Sequence, residues 1–239
     1  MVVLMEKIKA WLETALPRLR ITERPVVTLS YAQSLDGCLA FERGQAFNLS
    51  GPEALKLTHS LRAAHDAILV GIGTVQADDP RLTVRLVEGQ NPRPVILDTH
   101  LRIPLNSHLI QRGENLPWIA CGLNPDEEKL QALEACNARI LYCQVDEQKR
   151  IDLLDLLHQL GESGIRSVMV EGGAEVITSF LAAGLADLAV ITIAPVWLGG
   201  YRLVEENERS IRRNFIVDPE VTRLGKDAVV WGQVNCQPA

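Results

Sequence analysis

The sequence predicts an α/β fold with a mostly parallel central sheet, helices on both faces and an antiparallel edge. Short apolar segments typical of strands alternate with helical segments along most of the chain, which favours parallel strands covered by helices. A hairpin-like start and a strand-rich end predict the antiparallel edge. From the length of 239 residues we expect one domain over 1–239, with 25–235 as its core and 1–20 as an accessory N-terminal helix.

Strands are predicted where β-branched and aromatic residues form short runs bounded by turn residues. They are expected at 25–32, 67–71, 95–98, 118–121, 140–143, 167–170, 188–193 and 228–234, with a further short pair over 38–49 around Gly44. Helices are predicted where apolar residues recur about every 3.6 residues or where a cap precedes them. They are expected at 3–19, 51–65, 151–160 and 174–183, with another opening at 124–127.

The segment Ser50-Gly51-Pro52-Glu53 has the spacing of a capping box and predicts the N-terminus of the helix over 51–65. Leu57 and Leu61 lie one turn apart in this helix, so we expect both to face the core. Arg62 then lies on the flank of the helix, beside its apolar face.

Composition excludes several classes of protein. Hydrophobic residues make up 47% and charged residues 23%, which is typical of a globular chain and not of a disordered one. No apolar run approaches the ~18 residues of a membrane span, and a net charge of −6 argues against a nucleic-acid partner. The five cysteines form no C-x-x-C pair, so no metal site is expected. Since the N-terminus carries no secretory pattern, we expect a cytoplasmic protein without a membrane partner.

Two predicted strand ends carry glycines followed by the start of a helix, at 71–75 (GIGTV) and at 171–175 (EGGAE). Ligands of open α/β sheets bind outside the carboxyl ends of the strands, and N–H groups at a helix N-terminus attract phosphate. Taken alone, each segment is equally consistent with a tight turn between strand and helix. The first has Gln76 where a dinucleotide fingerprint has its third glycine. The charged segment 78–85 that follows is, by composition alone, consistent with a solvated loop, and its arginine pair is also consistent with binding a phosphate monoester.

Five groups of residues considered together are more specific than any one of them. They are TLSYAQSLDG at 28–37, LR at 61–62, GTV-x-ADDP-x-LTVR at 73–85, PRP-x-ILD at 92–98 and VEGGA at 170–174. In this order, and over about residues 25–200, they resemble the pyrimidine reductase family of riboflavin biosynthesis.

The resemblance implies a dihydrofolate-reductase-like fold, a homodimer, and hydride transfer from a nicotinamide cofactor to C1′ of a ribosylamino group. The substrate is then a small phosphorylated pyrimidine, either 2,5-diamino-6-ribosylamino-4(3H)-pyrimidinone 5′-phosphate or 5-amino-6-(5-phosphoribosylamino)uracil. The family's bacterial members carry a deaminase with H-x-E and P-C-x-x-C motifs. This sequence has neither motif, so we expect it to catalyse only the reduction.

The resemblance also implies roles for particular residues, with Asp78 as the candidate acid and thus the catalytic residue. Arg62 and Arg85 would hold the phosphate or ribose, and Thr74 would contact both ligands. The implied substrate contacts are Arg62, Thr74, Asp78, Leu82, Arg85 and Glu171. The implied cofactor contacts are Gln33, Asn48, Gly71, Gly73, Thr74, Thr99, Gly172, Gly173, Ala174, Glu175 and Val176. The sequence departs from the bacterial pattern at a substrate position, Ala46, and at the cofactor position Asn48.

The choice between nicotinamide cofactors rests on two opposing signals. Asp98 ends a predicted strand, and a carboxylate there favours the free 2′-hydroxyl of NADH by analogy with Rossmann folds. The family resemblance favours NADPH, with Thr99, His100 or Arg102 near the 2′-phosphate. We expect NADPH and keep NADH as the alternative.

Two other functions stay open from the residues. One is a different reductase of the same fold, such as a dihydrofolate reductase, which needs an acidic residue on the first core helix. Glu53 is expected to cap that helix and Asp66 falls at its end, which disfavours this hypothesis. The other is a nucleotide-binding protein without catalysis, for which Ala46 and Asn48 are the only support.

Overall fold

The computed structural model describes residues 1–18, 23–45, 47–203 and 214–236, and these contain eleven strands and seven α-helices. The strands are β1 (Val26–Ser34), β2 (Cys38–Ala40), β3 (Ala67–Gly71), β4 (Arg93–Leu97), β5 (Trp118–Cys121), β6 (Arg139–Tyr142), β7 (Ser167–Val170), β8 (Leu188–Ala194), β9 (Tyr201–Arg202), β10 (Asn214–Leu224) and β11 (Asp227–Cys236). The helices are α1 (Val2–Ala15), α2 (Pro52–Ala64), α3 (Ile72–Asp78), α4 (His108–Gln111), α5 (Glu127–Ala135), α6 (Leu153–Glu162) and α7 (Ala174–Ala183).

The main sheet has the strand order β10-β11-β8-β1-β7-β3-β4-β5-β6. The seven strands from β8 to β6 are parallel to one another. β11 runs antiparallel to β8, and β10 antiparallel to β11. The predicted mostly parallel sheet with an antiparallel edge is therefore confirmed.

Helices cover both faces of this sheet, as predicted. On one face α6 and α7 bury Leu156, Ile177 and Phe180 in the same cluster as Val27 of β1. The other face is covered by α1 and α2 over one half and by α3, α4 and α5 over the other. Since neighbouring residues of a strand point to opposite faces, each central strand contributes to both layers of the core.

The N-terminal helix belongs to this core. Its residues Leu4, Ile8 and Leu12 are buried in the cluster that also holds Leu61 of α2. The helix predicted over 3–19 is shorter than expected, because α1 ends at Ala15 and a 3-10 turn, Leu16–Arg18, follows. Residues 19 and 20 lie outside the described part of the chain.

Two local predictions were wrong because distant partners replace local ones. The strand pair predicted over 38–49 does not form, and β2 pairs instead with β9. The predicted capping box at α2 is also wrong: Gly51 is the N-cap, so Ser50 lies one residue too early to accept from the first turn. The buried Asp227, at the start of β11, accepts from the backbone N–H of Gly51 at 2.6 Å and supplies the carboxylate that this helix end favours.

The order of the strands opens a crevice between β1 and β7, which lie side by side. The chain leaves β1 through α2 toward β3 and leaves β7 through α7 toward β8, on the far side of β1. These two helices also cover opposite faces of the sheet. Such a reversal of direction is where open α/β sheets bind ligands, at the carboxyl ends of the strands.

Among the described residues, no helix is long and apolar enough to cross a membrane.

A buried histidine fastens the end of α2 to the central strand β1. The Nδ1–H of His65 donates to the carbonyl of Leu61 at 2.7 Å, and its Nε2 accepts from the hydroxyl of Thr28 at 2.8 Å. This tautomer follows because a carbonyl oxygen can only accept. Burial lowers the pKa of His65 to about 4, so the ring is neutral at pH 7.

A second buried histidine, His59, lies in the middle of α2. Its Nδ1 accepts from the backbone N–H of Arg85 at 2.9 Å, which fixes the loop that follows α3 to this helix. Burial and the positive charges of Arg62 and Arg85 lower the pKa of His59 to about 4. A protonated ring would lose the acceptor that holds Arg85 and would repel both guanidinium groups.

We expect the free energy of unfolding to fall between pH 7 and pH 5. Both histidines titrate near 6.5 when unfolded but near 4 when folded, so the unfolded state binds more protons in this interval and acid favours it. Each histidine should contribute on the order of 1 kcal/mol, measured by urea unfolding at several pH values. His59→Asn, which keeps an acceptor near the position of Nδ1 and does not titrate, should flatten the slope. A slope unchanged by this substitution would contradict the role given to His59.

Candidate functional site

A cavity of about 440 Å³ lies at the carboxyl ends of β1, β3 and β7. One side of α2, the first turns of α3 and α7, and residues 42–45 and 47–50 after β2 complete its wall. Most of the site residues predicted from the sequence meet here. They are Asn48, Arg62, Gly71, Gly73, Thr74, Asp78, Glu171, Gly172, Gly173, Ala174, Glu175 and Val176.

Four predicted site residues lie outside this wall. Gln33 is half-buried on β1, and Thr99 follows the end of β4. Leu82 is buried at 3% exposure in a hydrophobic cluster of the sheet's second face, whereas Arg85 is exposed. Their proposed contacts with ligands stay predictions. The departure at Ala46 falls outside the described residues.

A buried ion pair joins α2 to the end of β7 in the wall of the cavity. Arg62 Nε donates to Glu171 Oε1 at 2.7 Å, and Nη2 donates to Oε2 at 2.6 Å, with side chains only 12% and 15% exposed. Burial alone would lower the pKa of Arg62, but the bonds and charge of Glu171 outweigh burial and raise it. Two parallel bonds of this kind set the orientation of both groups.

The same arginine and its neighbour on α2 hold the loop over residues 82–85. Arg62 Nη1 donates to the carbonyl of Thr83 at 3.0 Å, and His59 accepts from the N–H of Arg85. Leu82, at the start of this loop, has φ +52, a left-handed conformation that costs energy for a branched residue and needs its surroundings to hold it. The spacing of three between His59 and Arg62 predicts that both lie on one side of the helix, but it does not predict that His59 binds this loop.

The adjacent carboxylates Asp78 and Asp79 have separate roles. Asp79 is the C-cap of α3, and its Oδ1 accepts from the backbone N–H of His108 at 2.8 Å, so it joins α3 to α4. Asp78 lines the cavity, and no hydrogen bond of its side chain occurs within the described part of the chain. The residue is exposed overall, but partial burial of its carboxyl group raises the pKa of Asp78 above the usual value.

The glycines of the wall divide into two kinds. A Cβ on Gly172 would lie 2.5 Å from Cβ of Val176, and one on Gly71 would lie 2.8 Å from Cγ2 of the same residue. These two glycines let the first turn of α7 pack closely against the strand ends. A Cβ on Gly73 would meet nothing within 4 Å, and one on Gly173 only the Thr74 hydroxyl at 3.9 Å. At these two positions glycine keeps room inside the cavity and leaves the backbone accessible to a ligand.

Asp36, which belongs to the first motif group, holds the segment at 198–199 in place beside the site. Its Oδ1 accepts from the Ser34 hydroxyl at 2.5 Å and from Leu198 N–H at 2.9 Å, and its Oδ2 accepts from Gly199 N–H at 2.7 Å. These bonds hold the pKa of Asp36 well below its usual range. The anchored segment leads into β9, whose Tyr201 is part of the cavity wall.

Several residues of the wall were not predicted as site residues. Tyr31, in the first motif, faces the cavity from β1, and burial raises its pKa to about 12, so its hydroxyl stays a donor. Thr58 lies one turn before Arg62 on α2, so the spacing of four residues in the sequence already predicts that both are on the same side of the helix. Arg43 reaches across from the segment after β2 and forms an ion pair with Glu175 on α7. No sequence signal pointed to this pair, because 132 residues separate its members.

Comparisons with known proteins identify relatives along most of the chain. The family model described as the RibD C-terminal domain matches residues 25–230. A protein of Archaeoglobus fulgidus named 2,5-diamino-6-ribosylamino-4(3H)-pyrimidinone 5′-phosphate reductase is 36% identical over 224 residues, which cover 89% of this chain and 99% of the relative. The riboflavin biosynthesis protein RibD of Aquifex aeolicus is 37% identical over 87% of this chain, but this chain spans only 58% of that relative's length.

Solved structures agree with this assignment. RibD of Acinetobacter baumannii superposes with a TM-score of 0.76 at 27% identity, covering 91% of this chain and 60% of the other. The riboflavin biosynthesis reductase Rib7 of Saccharomyces cerevisiae superposes with a TM-score of 0.71 at 31% identity, covering 89% and 91%. The resemblance read from the five motif groups is confirmed, and the chain belongs to the RibD C-terminal domain family.

Proposed function

We propose that this protein is a reductase of riboflavin biosynthesis that converts the ribosylamino group of a pyrimidine 5′-phosphate into a ribitylamino group. The observation that carries the proposal is the cavity itself. Its wall brings together the open glycines Gly73 and Gly173, the Arg62–Glu171 pair and Asp78. The names of the relatives in Archaeoglobus and yeast support the same reaction class.

The part of the wall that contains Gly73 and Gly173 fits a nicotinamide dinucleotide. The N-terminus of α7 has no side-chain cap, so its first N–H groups are available to a phosphate. Gly173 and Gly73 leave the space that a close approach of backbone and ligand requires. Thr74, whose hydroxyl lies near Gly173 and which is on the same helix as Asp78, is proposed to contact both ligands.

NADPH is the proposed cofactor, and NADH is the alternative to be measured. The argument for NADH depended on Asp98 as a contact for a ribose hydroxyl. Asp98 is fully buried, and its Oδ2 accepts from Ile103 N–H at 2.8 Å, so this carboxylate serves the turn after β4. Its Oδ1 lies 3.6 Å from Nε of Arg102, whose side chain is half exposed, and this arginine is proposed to face the 2′-phosphate.

Toward the substrate, the residues of the wall are proposed to orient the ribose and to donate a proton to it. The bound cofactor supplies the hydride that C1′ receives. Glu171 and Arg62, fixed by each other, are proposed to offer their remaining hydrogen-bonding capacity to the ribose. The exposed Arg85 is proposed to bind the phosphate. Asp78 is proposed to donate a proton to the ribose ring oxygen as the C1′–O bond opens. Its raised pKa favours the protonated form that this step needs.

The proposal includes a homodimer in the cytoplasm. β10 is one of the two edge strands of the described sheet, and it exposes Phe215, Val217 and Val221. An edge strand with exposed apolar side chains favours pairing with a second chain. The family resemblance supports the same assembly.

The proposed activity predicts cofactor oxidation that depends on the pyrimidine. Purified protein with NADPH should lose nicotinamide absorbance when offered the diaminopyrimidinone or the uracil ribosylamino phosphate, and the preferred one identifies the substrate. Asp78→Asn should lower kcat by about 10²-fold or more, because a general acid is removed, with little effect on cofactor affinity. Asp79→Asn is the matched control, and its kcat should change far less. Oxidation with neither pyrimidine, despite cofactor binding, would overturn the proposed function.

The two neighbouring glycines of α7 should respond differently to alanine. Gly173 has φ −68 and ψ 179, which alanine adopts readily, so Gly173→Ala should raise the cofactor KM severalfold with the free energy of unfolding unchanged. Gly172→Ala should cost about 1–3 kcal/mol of stability, because its methyl group would collide with Val176. Cofactor titrations and urea unfolding of both variants test this. A Gly173→Ala variant that binds cofactor as the wild type does would show that the phosphate lies elsewhere.

A further inference from the structure

An ion pair joins two exposed parts of the cavity wall. Arg43, in the segment after β2, bonds through Nη2 to Glu175 Oε1 in the first turn of α7. The two side chains are 65% and 70% exposed, and both residues line the cavity. An ion pair exposed to this extent contributes little to stability, so its members exchange partners easily.

Of the two cationic side chains in the described wall, Arg43 is the less constrained. Four carboxylates face the cavity, from Glu42, Asp78, Glu171 and Glu175, against the guanidinium groups of Arg43 and Arg62. Arg62 is already bound by both oxygens of Glu171 inside the protein. Arg43 is therefore the cation of the described wall that can turn to an incoming anion.

Glu175 stands where such an anion would bind. Its carboxylate lies in the first turn of α7, where it is stabilised by the helix dipole. The same N–H groups and dipole would attract the phosphate of a dinucleotide, and a free carboxylate there would repel it. In the observed arrangement Arg43 neutralises that carboxylate.

We propose that Arg43 leaves Glu175 when the cofactor binds and forms charge-assisted hydrogen bonds with one of its phosphates. This inference rests on the proposed function, and it adds a residue that the family resemblance did not indicate. A guanidinium group offers two parallel donors to a phosphate, which carries more charge than a carboxylate, so the exchange favours the phosphate. Glu175 then acts as a competitor that holds Arg43 at the entrance until the phosphate arrives.

The test measures the dissociation constant of NADPH and of NADH by fluorescence titration, without substrate. Arg43→Gln should raise the constant about tenfold and weaken its dependence on salt. Glu175→Gln should lower it severalfold, because the competing carboxylate is gone. Arg150→Gln is the matched control, since it removes an exposed ion pair with Asp146 far along the chain, and its constant should equal that of the wild type. If Arg43→Gln weakens the binding of NADPH alone, Arg43 contacts the 2′-phosphate. If it weakens the binding of both cofactors equally, Arg43 contacts the pyrophosphate.

Opposite effects of the two substitutions distinguish a phosphate contact from a simple latch. If the pair only held the cavity closed, Arg43→Gln and Glu175→Gln would break the same latch and change the constant in the same direction. That result, or an unchanged constant for Arg43→Gln, would overturn this inference while leaving the proposed function intact. A wild-type protein that binds neither cofactor would overturn the proposed function and this inference with it.

Discussion

The ion pair between Arg62 and Glu171 is the constraint on which the rest of the site depends. It connects the helix that leaves β1 with the end of β7, the two strands from which the chain departs in opposite directions. Two charges so far removed from water are tolerated only when each satisfies the other. The pair therefore fixes the width of the crevice, and through the carbonyl of Thr83 it also fixes the loop that carries Arg85.

The pairing of Arg62 with Glu171 also determines the charge of the cavity wall. Because each neutralises the other, the wall around them has oriented donors and acceptors and little free positive charge. Under the proposed function, attraction for phosphate has to come from other groups, namely the N-terminus of α7, Arg43 and the exposed Arg85. This distribution of charge agrees with the proposed reaction between two phosphorylated ligands. The protein then contributes mainly orientation and the placement of one proton.

The sequence predicted most of the strands and helices along the chain because their signals are local, namely apolar periodicity and turn residues. It did not predict α4, β9 or β10. It missed the cap of α2, since Asp227 is 176 residues away from Gly51. Most of the site residues that the motif groups predicted lie in the cavity wall, including Asp78 and not its neighbour Asp79, which joins two helices. The motifs gave no distinction between two adjacent glycines, because only packing separates the crowded Gly172 from the open Gly173.

The most direct test of this account is a double-mutant cycle on the buried pair, measured as the free energy of unfolding. Arg62→Met or Glu171→Met alone leaves one buried charge without its partner and should cost about 3–5 kcal/mol. The double variant replaces the pair with apolar side chains, so its loss should be far smaller than the sum of the two single losses. Its substrate binding should nevertheless stay impaired, because the oriented donors are gone. Additive losses in the double variant would mean that the two charges are independent, and would contradict the central role assigned to their interaction.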